Sequence, residues 1–319
     1  MKILVVMNVE EEHKAMLSAA APEAEILYIP GGQVDQETAA RSDIIVGNIP
    51  VKLVNGCKNL KLLQLNSAGA NNYTGDGILP EGALLANATG AYGLAISEHM
   101  IGALLCIMKK LDRYKMNQTE KNWHDEGSVT SIYGAKTLIV GYGNIGSEFA
   151  KRMHAMGSTV SAIRRNKSEK PDFLDSLYQM DHLYESLEEA DIVAACLPDT
   201  PETRKLFNEE AFSHMKKGAY FLNVGRGNSV DSDALYEALC SGKLAGASVD
   251  VTDPEPLPAD HKLWDAPNIL ITPHISGGYH LKQTHDTIIR IACDNIRHYQ
   301  NGEPFENIVD MKTGYRKNV

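Results

Sequence analysis

The sequence has no apolar run long enough to cross a membrane and no excess of positive charge. A bilayer span needs roughly 20 consecutive apolar residues, and no run reaches this length. The formal net charge is -10, which argues against a nucleic-acid partner, because a polyanion binds to a basic face. The start, MKILVVMNVEEEH, has no signal-peptide cleavage site. We therefore expect a cytoplasmic protein without membrane association.

The cysteines also follow no regular pattern. Their number, five, is odd, their spacing is wide, and no CxxC motif occurs. This pattern argues against a disulfide framework and against a zinc site. No metal site is expected, and we interpret the cysteines as small buried apolar residues: Cys57, Cys106, Cys196, Cys240 and Cys293.

A glycine motif, GYGNIG, follows the apolar segment KTLIV and precedes a helical pattern. Gly141 permits a tight turn, Gly143 lets the backbone approach a pyrophosphate, and Gly146 lets the helix pack closely on the strand. Helix N-terminal amides would then hold the diphosphate. The motif predicts dinucleotide binding, although a glycine-rich turn without a ligand is an open alternative.

Short apolar strands alternate with helical patterns along the whole chain, which predicts α/β architecture with mostly parallel sheets. Five strand candidates predict a flavodoxin-like sheet: KILVVM, AEILYI, SDIIVGN, KLLQLNSAG and ALLANATG. A second α/β series, which starts at KTLIVG, predicts a second parallel sheet. One long helix from about Leu94 to Lys115 should connect them, and DTPETRKLF reads as a helix start with Thr200 as its cap. We expect two doubly wound parallel-sheet domains. A Rossmann dinucleotide-binding domain, residues 98–289, is inserted in a flavodoxin-like substrate domain, residues 1–97 and 290–319.

The strand after the glycine motif ends in SAIRRN, where an NAD-binding version would place a carboxylate for the ribose 2′-hydroxyl. Arg164 and Arg165 stand there instead. Guanidinium groups match the oxygens of a 2′-phosphate, so we expect NADP(H) to be preferred, with NAD(H) possible. A solvated basic pair in a loop is the alternative.

Three later strand ends each carry one chemically active group. FLNVGRG ends in Arg226 between Gly225 and Gly227, ASVDVTDPEP carries Asp250 and Glu255, and ILITPH ends in His274. Ligands of open α/β sheets bind outside the carboxyl ends of the strands. Arg226 could bind a substrate carboxylate and carbonyl oxygen, His274 could transfer the proton, and Glu255 could orient the imidazole. Each has a structural alternative: a buried histidine, a turn arginine or a solvated glutamate.

These blocks resemble the D-isomer-specific 2-hydroxyacid dehydrogenase family over nearly the whole chain. The matching segments are LIVGYGNIGSEFAKRMHAMG, CLPDTPETRKLFN, GAYFLNVGRGNSVDSDAL, ASVDVTDPEPLPADHKLWDAPNILITPHISG and GLAISEHMIGALL. The resemblance implies that Arg226 binds and polarises the substrate, that His274 is the acid/base and that Glu255 is its partner. It implies that Asp250 contacts the nicotinamide carboxamide.

Further roles follow from the same resemblance. The first-domain loop NSAGANN should hold the substrate carboxylate with its backbone amides, at Ala68, Gly69, Ala70 and Asn71. The cofactor should also contact Asn144, Ile145, Leu197, Pro198, Thr203, Val224, Gly225 and Gly277.

The resemblance implies a reductase of small 2-oxo acids that makes D-2-hydroxy acids. An arginine at position 164 makes the chain similar to glyoxylate and hydroxypyruvate reductases that prefer NADPH. Formate dehydrogenases share the fold but carry Gln in place of His274. A homodimer formed by the second domain and the helix from Glu98 to Leu111 is also implied, with domain closure over the substrate. No regulatory domain is expected after Val319. The alternative is a corepressor-like module that senses nucleotides on the same fold; nucleophilic chemistry lacks a G-x-S-x-G motif.

Overall fold

A computed structural model of the protein describes residues 1–312 and 314–316. The chain forms two compact units: a first unit of Met1–Tyr92 and Tyr279–Val319, and a second unit of Gly93–Gly278. The sequence had placed the domain borders after residues 97 and 289. The borders between the units lie earlier in the chain, so the long C-terminal helix belongs wholly to the first unit.

The N-terminal part of the chain alternates strands with short helices. Its elements are β1 Lys2–Val5, α1 Glu11–Ala20, β2 Glu25–Tyr28, α2 Gln36–Ala40, β3 Ile44–Val46, α3 Val51–Val54, β4 Leu62–Gln64 and β5 Leu84–Ala86. The five strands pair in parallel in the order β2-β1-β3-β4-β5. This is the flavodoxin-like order, so the prediction for the first sheet is confirmed.

The second unit is larger and built around a seven-stranded sheet. Its elements are α4 Gly93–Met108, α5 Leu111–Thr119, β6 Lys136–Val140, α6 Asn144–Ala155, β7 Thr159–Ile163, β8 Ser176–Tyr178, α7 Leu183–Glu189, β9 Ile192–Ala195, α8 Glu209–His214, β10 Ala219–Asn223, α9 Ser232–Cys240, β11 Leu244–Val249 and β12 Ile269–Ile271. All strands run parallel in the order β12-β11-β10-β9-β6-β7-β8. The order reverses between β6 and β9, which is the Rossmann topology with its switch point at that pair.

The chain then returns to the first unit. The remaining elements are α10 Lys282–Asn301, β13 Val309–Asp310 and β14 Tyr315–Arg316. Ile308 makes an antiparallel bridge to Ala86 at the end of β5, and the amide of Asn87 donates to the carbonyl of Asn307 at 3.1 Å. The tail thus extends the edge of the first sheet.

Each unit has its own apolar core. The strands β3, β9 and β10 are buried along their whole length, as expected of parallel strands covered on both faces by helices. In the second unit Phe207, Phe212 and Phe221 pack together, with ring centroids 4.8–6.3 Å apart. Within the part of the chain that the structure describes, no helix is both long and apolar enough to cross a membrane.

Two predicted helices differ from the structure. The single helix expected over Leu94–Lys115 is divided, because Lys110 adopts a left-handed conformation with φ of 56° and ends the buried apolar pattern of α4. The expected helix start at Thr200 is wrong. Residues 201–205 form a turn, since the amide of Lys205 donates to the carbonyl of Asn228 at 2.8 Å and Phe207 bridges to Val230.

The prediction that all cysteines are buried was also wrong. Cys57 and Cys293 are buried, Cys106 and Cys196 are half-buried, and Cys240 at the end of α9 is exposed. An exposed position at the last turn of an amphipathic helix does not require an apolar side chain, which explains the difference.

Candidate active site

The glycine loop joins β6 to α6 at the switch point of the second sheet. Gly141 has φ of 105°, and a Cβ atom there would lie 2.5 Å from the carbonyl oxygen of Cys196. A Cβ atom on Gly146 would lie 2.4 Å from the carbonyl oxygen of Gly141. Side chains are therefore excluded at both positions: the first glycine lets the loop pass the neighbouring strand, and the third lets α6 pack on β6.

Gly143 differs, because no atom lies within 4 Å of a Cβ atom built there. It is the N-cap residue of α6, and no side chain of the described residues caps the helix. Gly143 and Asn144 are exposed, so the positive end of the helix dipole, where an anion is stabilised, is accessible to a ligand. The loop fits a dinucleotide diphosphate.

Arginine side chains stand at the end of β7, next to this loop. Arg164 donates from Nη1 to the hydroxyl of Ser168, and its backbone amide bonds the carbonyl of Tyr178 at 3.0 Å. Arg164 lines a cavity of about 320 Å³ together with Lys167 and with the oppositely charged Asp181. Arg165 is exposed. The strand end is thus positively charged and open to a ligand.

The loop after β9 forms the next part of this edge. The hydroxyl of Thr203 donates to the carbonyl of Pro198 at 2.6 Å and accepts from the amide of Thr200 at 2.9 Å, which closes a compact turn after Leu197. Cys196 precedes it; desolvation of its thiol raises the pKa to about 12, so the thiol is a poor nucleophile near neutral pH. The predicted contacts of Leu197, Pro198 and Thr203 with a cofactor stay predictions.

Arg226 follows β10 in a loop that only glycines can flank. A Cβ atom on Gly225 would lie 2.5 Å from the backbone of Leu197, and one on Gly227 would lie 1.9 Å from the carbonyl oxygen of Thr252. The buried side chain of Asn223 braces the loop by accepting from the amide of Gly225 and donating to the carbonyl of Arg226. The loop is therefore wedged between the loops after β9 and β11. Val224, at its start, is buried.

His274 and Glu255 form a direct pair. Nδ1 of His274 lies 2.8 Å from Oε1 of Glu255, and the two side chains are 48% and 42% exposed, so both are accessible to a ligand. A carboxylate only accepts hydrogen bonds, so Nδ1 carries the hydrogen, and Nε2 is the ring nitrogen that Glu255 does not engage. This is the arrangement of a general acid/base and its orienting carboxylate.

The turn that carries His274 is held by Asp250, at the end of β11. The Asp250 side chain is 1% exposed. It accepts from the hydroxyl of Thr272 at 2.5 Å, from the amides of Ile275 and Ser276 at 3.0 Å each, and from the Ser276 hydroxyl. Both oxygens are thus occupied by the protein. The predicted contact of Asp250 with a nicotinamide carboxamide stays a prediction. Gly277 lies in a turn together with Ser276.

The predicted carboxylate-binding loop lies in the first unit, after β4. The carbonyl of Ala68 accepts from the side chain of Asn87 at 2.8 Å, and the carbonyl of Gly69 accepts from the hydroxyl of Ser67 at 2.6 Å. The amides of residues 68–71 donate no hydrogen bond to any residue of the described part of the chain. The carbonyls of Ala68 and Gly69 are thus anchored, and the predicted binding of a carboxylate by the amides stays a prediction.

Sequence reasoning missed the polar residues that support these groups: Asn223, Thr272, Ser276 and His99. Asn223 carried a signal, because it is a polar residue at the end of the apolar strand in FLNVGRG. His99 carried none, since its contact with Thr272 joins residues 173 positions apart.

One group in the first unit has metal-ligand chemistry, namely Glu12, His13 and Asp286. Lys282 ion-pairs with both carboxylates. The two ring nitrogens of His13 are also engaged, by the amide of Glu10 at 3.2 Å and by Asp286 at 2.9 Å. The ammonium of Lys282 therefore supplies the positive charge of this cluster.

A glycine loop at a Rossmann switch point and an imidazole–carboxylate pair on the same sheet edge define a dinucleotide-dependent oxidoreductase. The model of the NAD binding domain of D-isomer specific 2-hydroxyacid dehydrogenases matches residues 101–276. The chain belongs to this family. The expectations of an enzyme, of a nicotinamide cofactor and of the family are thereby confirmed.

Relatives and solved structures agree with this assignment. The hydroxypyruvate reductase of Thermotoga maritima is 31% identical over 275 residues, 84% of each chain. A D-isomer specific 2-hydroxyacid dehydrogenase family protein from Aeromonas salmonicida has a TM-score of 0.86 at 30% identity, covering 97% of this chain and 99% of the other. The NADPH-dependent glyoxylate/hydroxypyruvate reductase of Sinorhizobium meliloti, in complex with NADP and sulfate, has a TM-score of 0.82 at 26% identity, covering 98% and 99%.

Proposed function

We propose that the protein reduces small 2-oxo acids to D-2-hydroxy acids with NADPH, as a glyoxylate/hydroxypyruvate reductase does. The observation that carries the proposal is the 2.8 Å contact between His274 and Glu255, at the sheet edge that also bears Arg226 and the glycine loop. The similarity to the reductases of Thermotoga maritima and Sinorhizobium meliloti supports this substrate class. Cytoplasmic residence, expected from the sequence, remains part of the proposal.

Each side chain would have its own role in the reaction. Protonated His274 donates its Nε2 hydrogen to the carbonyl oxygen of the substrate, and Glu255 stabilises the ring orientation by accepting from Nδ1. Arg226 binds the carboxylate and the carbonyl oxygen, because its planar guanidinium matches two oxygens at once. Bound NADPH would supply the hydride that adds to the carbonyl carbon. We also propose that the amides of residues 68–71 bind the substrate carboxylate.

The cofactor would be held at the glycine loop. The diphosphate would lie against the amides of Asn144 and Ile145, where Gly143 leaves room for it. Arg164 and Arg165 would bind the 2′-phosphate of NADP(H). The NADP-bound neighbour from Sinorhizobium meliloti supports this preference.

A substrate screen tests the proposed function. The rate of NADPH oxidation is measured with glyoxylate, hydroxypyruvate, pyruvate and longer straight-chain 2-oxo acids, and the chirality of every product except achiral glycolate is determined. We expect the highest kcat/KM with glyoxylate or hydroxypyruvate, and D-glycerate as the product of hydroxypyruvate. A protein that binds NADPH but oxidises neither NADPH nor NADH with any 2-oxo acid would contradict the proposal and favour a nucleotide-sensing module.

Arg164→Glu tests the cofactor preference. A carboxylate at this strand end would repel the 2′-phosphate and could accept from a ribose hydroxyl. Because hydrogen bonds to charged groups contribute about 1.5–3 kcal/mol, we expect the ratio of kcat/KM for NADPH to that for NADH to fall by roughly 10- to 100-fold. The control is Arg290→Glu, which makes the same charge change on α10 in the first unit. An unchanged ratio in the Arg164 variant would show that the arginine is a solvated surface residue.

We also propose a homodimer, which the family resemblance implies. Large apolar side chains are exposed along α5 and the segment after it: Leu111 is 52% exposed, Met116 63%, Trp123 104% and Tyr133 80%. Burying them against a second copy would remove apolar surface from water. Sedimentation equilibrium should give twice the chain mass of 34.9 kDa, and Trp123→Asp should shift the mass towards the monomer. A monomeric wild type would refute the dimer.

A further inference from the structure

The hydroxyl of Thr272 links the Asp250 carboxylate to a histidine in α4. Thr272 Oγ1 lies 2.5 Å from Asp250 Oδ1 and 3.2 Å from His99 Nε2. A hydroxyl has one hydrogen to donate, and an ionised carboxylate can only accept. The hydroxyl therefore donates to Asp250 and accepts from His99, so His99 Nε2 carries its hydrogen. The hydrogen bonds run in one direction, from His99 through Thr272 to Asp250.

Asp250 in turn accepts hydrogen bonds from the backbone of the turn that carries His274. Its carboxylate accepts from the amides of Ile275 and Ser276, and its own carbonyl accepts from the amide of His274 at 2.8 Å. His274 has φ of 50°, a left-handed conformation that a residue with a side chain seldom adopts unless its surroundings fix it. One buried residue thus bonds the amides of three consecutive residues around the imidazole.

We propose that His99 and Thr272 are positioning residues for His274: they hold Asp250 in the one orientation that keeps the imidazole turned towards its substrate. Without the Thr272 hydroxyl, Oδ1 of Asp250 would lose one of its two hydrogen-bond donors, which would hold the carboxylate less firmly against the amides of Ile275 and Ser276. The inference rests on the proposed function, because it assigns the proton transfer to His274. His99 is 24% exposed and Thr272 is partly buried, and their side chains are linked to the turn of His274 through Asp250.

Thr272→Val removes the hydroxyl and keeps the branched shape. Because a hydrogen bond to a charged carboxylate contributes about 1.5–3 kcal/mol, we expect kcat to fall by roughly 10- to 150-fold. The KM values for NADPH and for the 2-oxo acid should stay within about twofold, because substrate and cofactor contacts are unchanged. The solvent deuterium isotope effect on kcat should rise, since proton transfer from a misoriented imidazole becomes more rate-limiting. Thr272→Ser restores the hydroxyl and should restore kcat and the isotope effect.

A second pair of variants tests His99. Glutamine can donate from Nε2 as the imidazole does, whereas leucine fills similar space without a donor. His99→Gln should therefore keep kcat near that of the wild type, and His99→Leu should lower it by roughly 2- to 5-fold with an increased solvent isotope effect. This pair also carries the test if Thr272→Val does not fold.

The matched control is Thr137→Val. Thr137 is a buried threonine of the second unit, and its hydroxyl bonds that of Ser158 at 2.7 Å near the start of β6. This variant should lose thermal stability but keep kcat and the isotope effect. If the wild type is active and both Thr272→Val and His99→Leu match it in kcat and isotope effect, the positioning inference is wrong. If the wild type reduces no 2-oxo acid, the proposed function has failed instead. A KM for NADPH raised as strongly as kcat is lowered would also overturn the inference.

Discussion

His274→Asn is expected to lower kcat for the reduction of a 2-oxo acid by roughly 10²- to 10⁴-fold, the usual contribution of a positioned general acid. Asparagine is the best choice for this test because it tolerates the φ of 50° found at this position. Its amide can also keep the hydrogen bond to Glu255 in place of Nδ1. The change therefore removes the proton donor while the turn is kept. Steady-state kinetics near neutral pH give kcat, and quenching of protein fluorescence gives the affinity for NADPH, which should not change.

The structure offers a matched control for this substitution. His214 also pairs with a carboxylate through Nδ1, at 2.8 Å from Oε1 of Glu188 on the surface of the second unit. His214→Asn should leave kcat unchanged, because a surface pair of this kind has no contact with a substrate. A His274→Asn variant with wild-type turnover would remove the acid/base role and with it the reason to interpret Glu255 as a catalytic partner.

Much of the architecture could be predicted from the sequence, because parallel strands buried on both faces are continuous apolar runs. The five strands of the first sheet and six of the seven in the second were recognisable in this way. The missed strand, β8, has three residues, lies at the sheet edge and is not fully buried at any of them. Its sequence, SLY, has one aliphatic residue and so no apolar run by which it could be recognised, unlike the ILI of β12 at the opposite edge.

The helix errors have a different cause. Helical periodicity continues through Lys109 and Lys110, and a sequence window contains no sign that Lys110 turns to a positive φ. Its ammonium bonds the carbonyl of Glu126, a contact with a distant loop. Likewise, the turn before Phe207 is set by its bridge to Val230 rather than by local propensity. Contacts between different segments determine both the end of α4 and the turn before Phe207. Local helix propensity carries no information about such contacts.

In the candidate site, too, some features could be predicted from the sequence and others depend on contacts between distant segments. The types and order of the active groups were readable, because each one ends a strand and parallel strands end at one edge. The hydrogen bonds to the Asp250 carboxylate could not be predicted from the sequence. Its donors come from the loop after β12, and the connection to His99 comes from α4. The sequence predicts a cofactor contact for Asp250, and the fold adds hydrogen bonds to its carboxylate that the sequence does not indicate.

Arg226→Gln is expected to lower kcat/KM for every 2-oxo acid by roughly 10²- to 10³-fold, the typical loss when a donor to a developing oxyanion is removed. Gly225 and Gly227 fix the loop, so the backbone should keep its position after the change. Arg226→Lys should recover only a small part of the loss, because an ammonium cannot bind two oxygens in one plane. NADPH affinity should stay the same, and Arg297→Gln, on α10 with Asp294 as its partner, serves as the control.

The substrate dependence of this loss identifies what Arg226 binds. The carboxylate and the carbonyl are common to glyoxylate, pyruvate and hydroxypyruvate, so an arginine bound to them should give the same fractional loss of kcat/KM with all three. A loss confined to hydroxypyruvate would instead mean that the guanidinium binds the hydroxymethyl group. In that case the carboxylate would depend on other donors, such as the amides of residues 68–71, and the role proposed for Arg226 would be wrong.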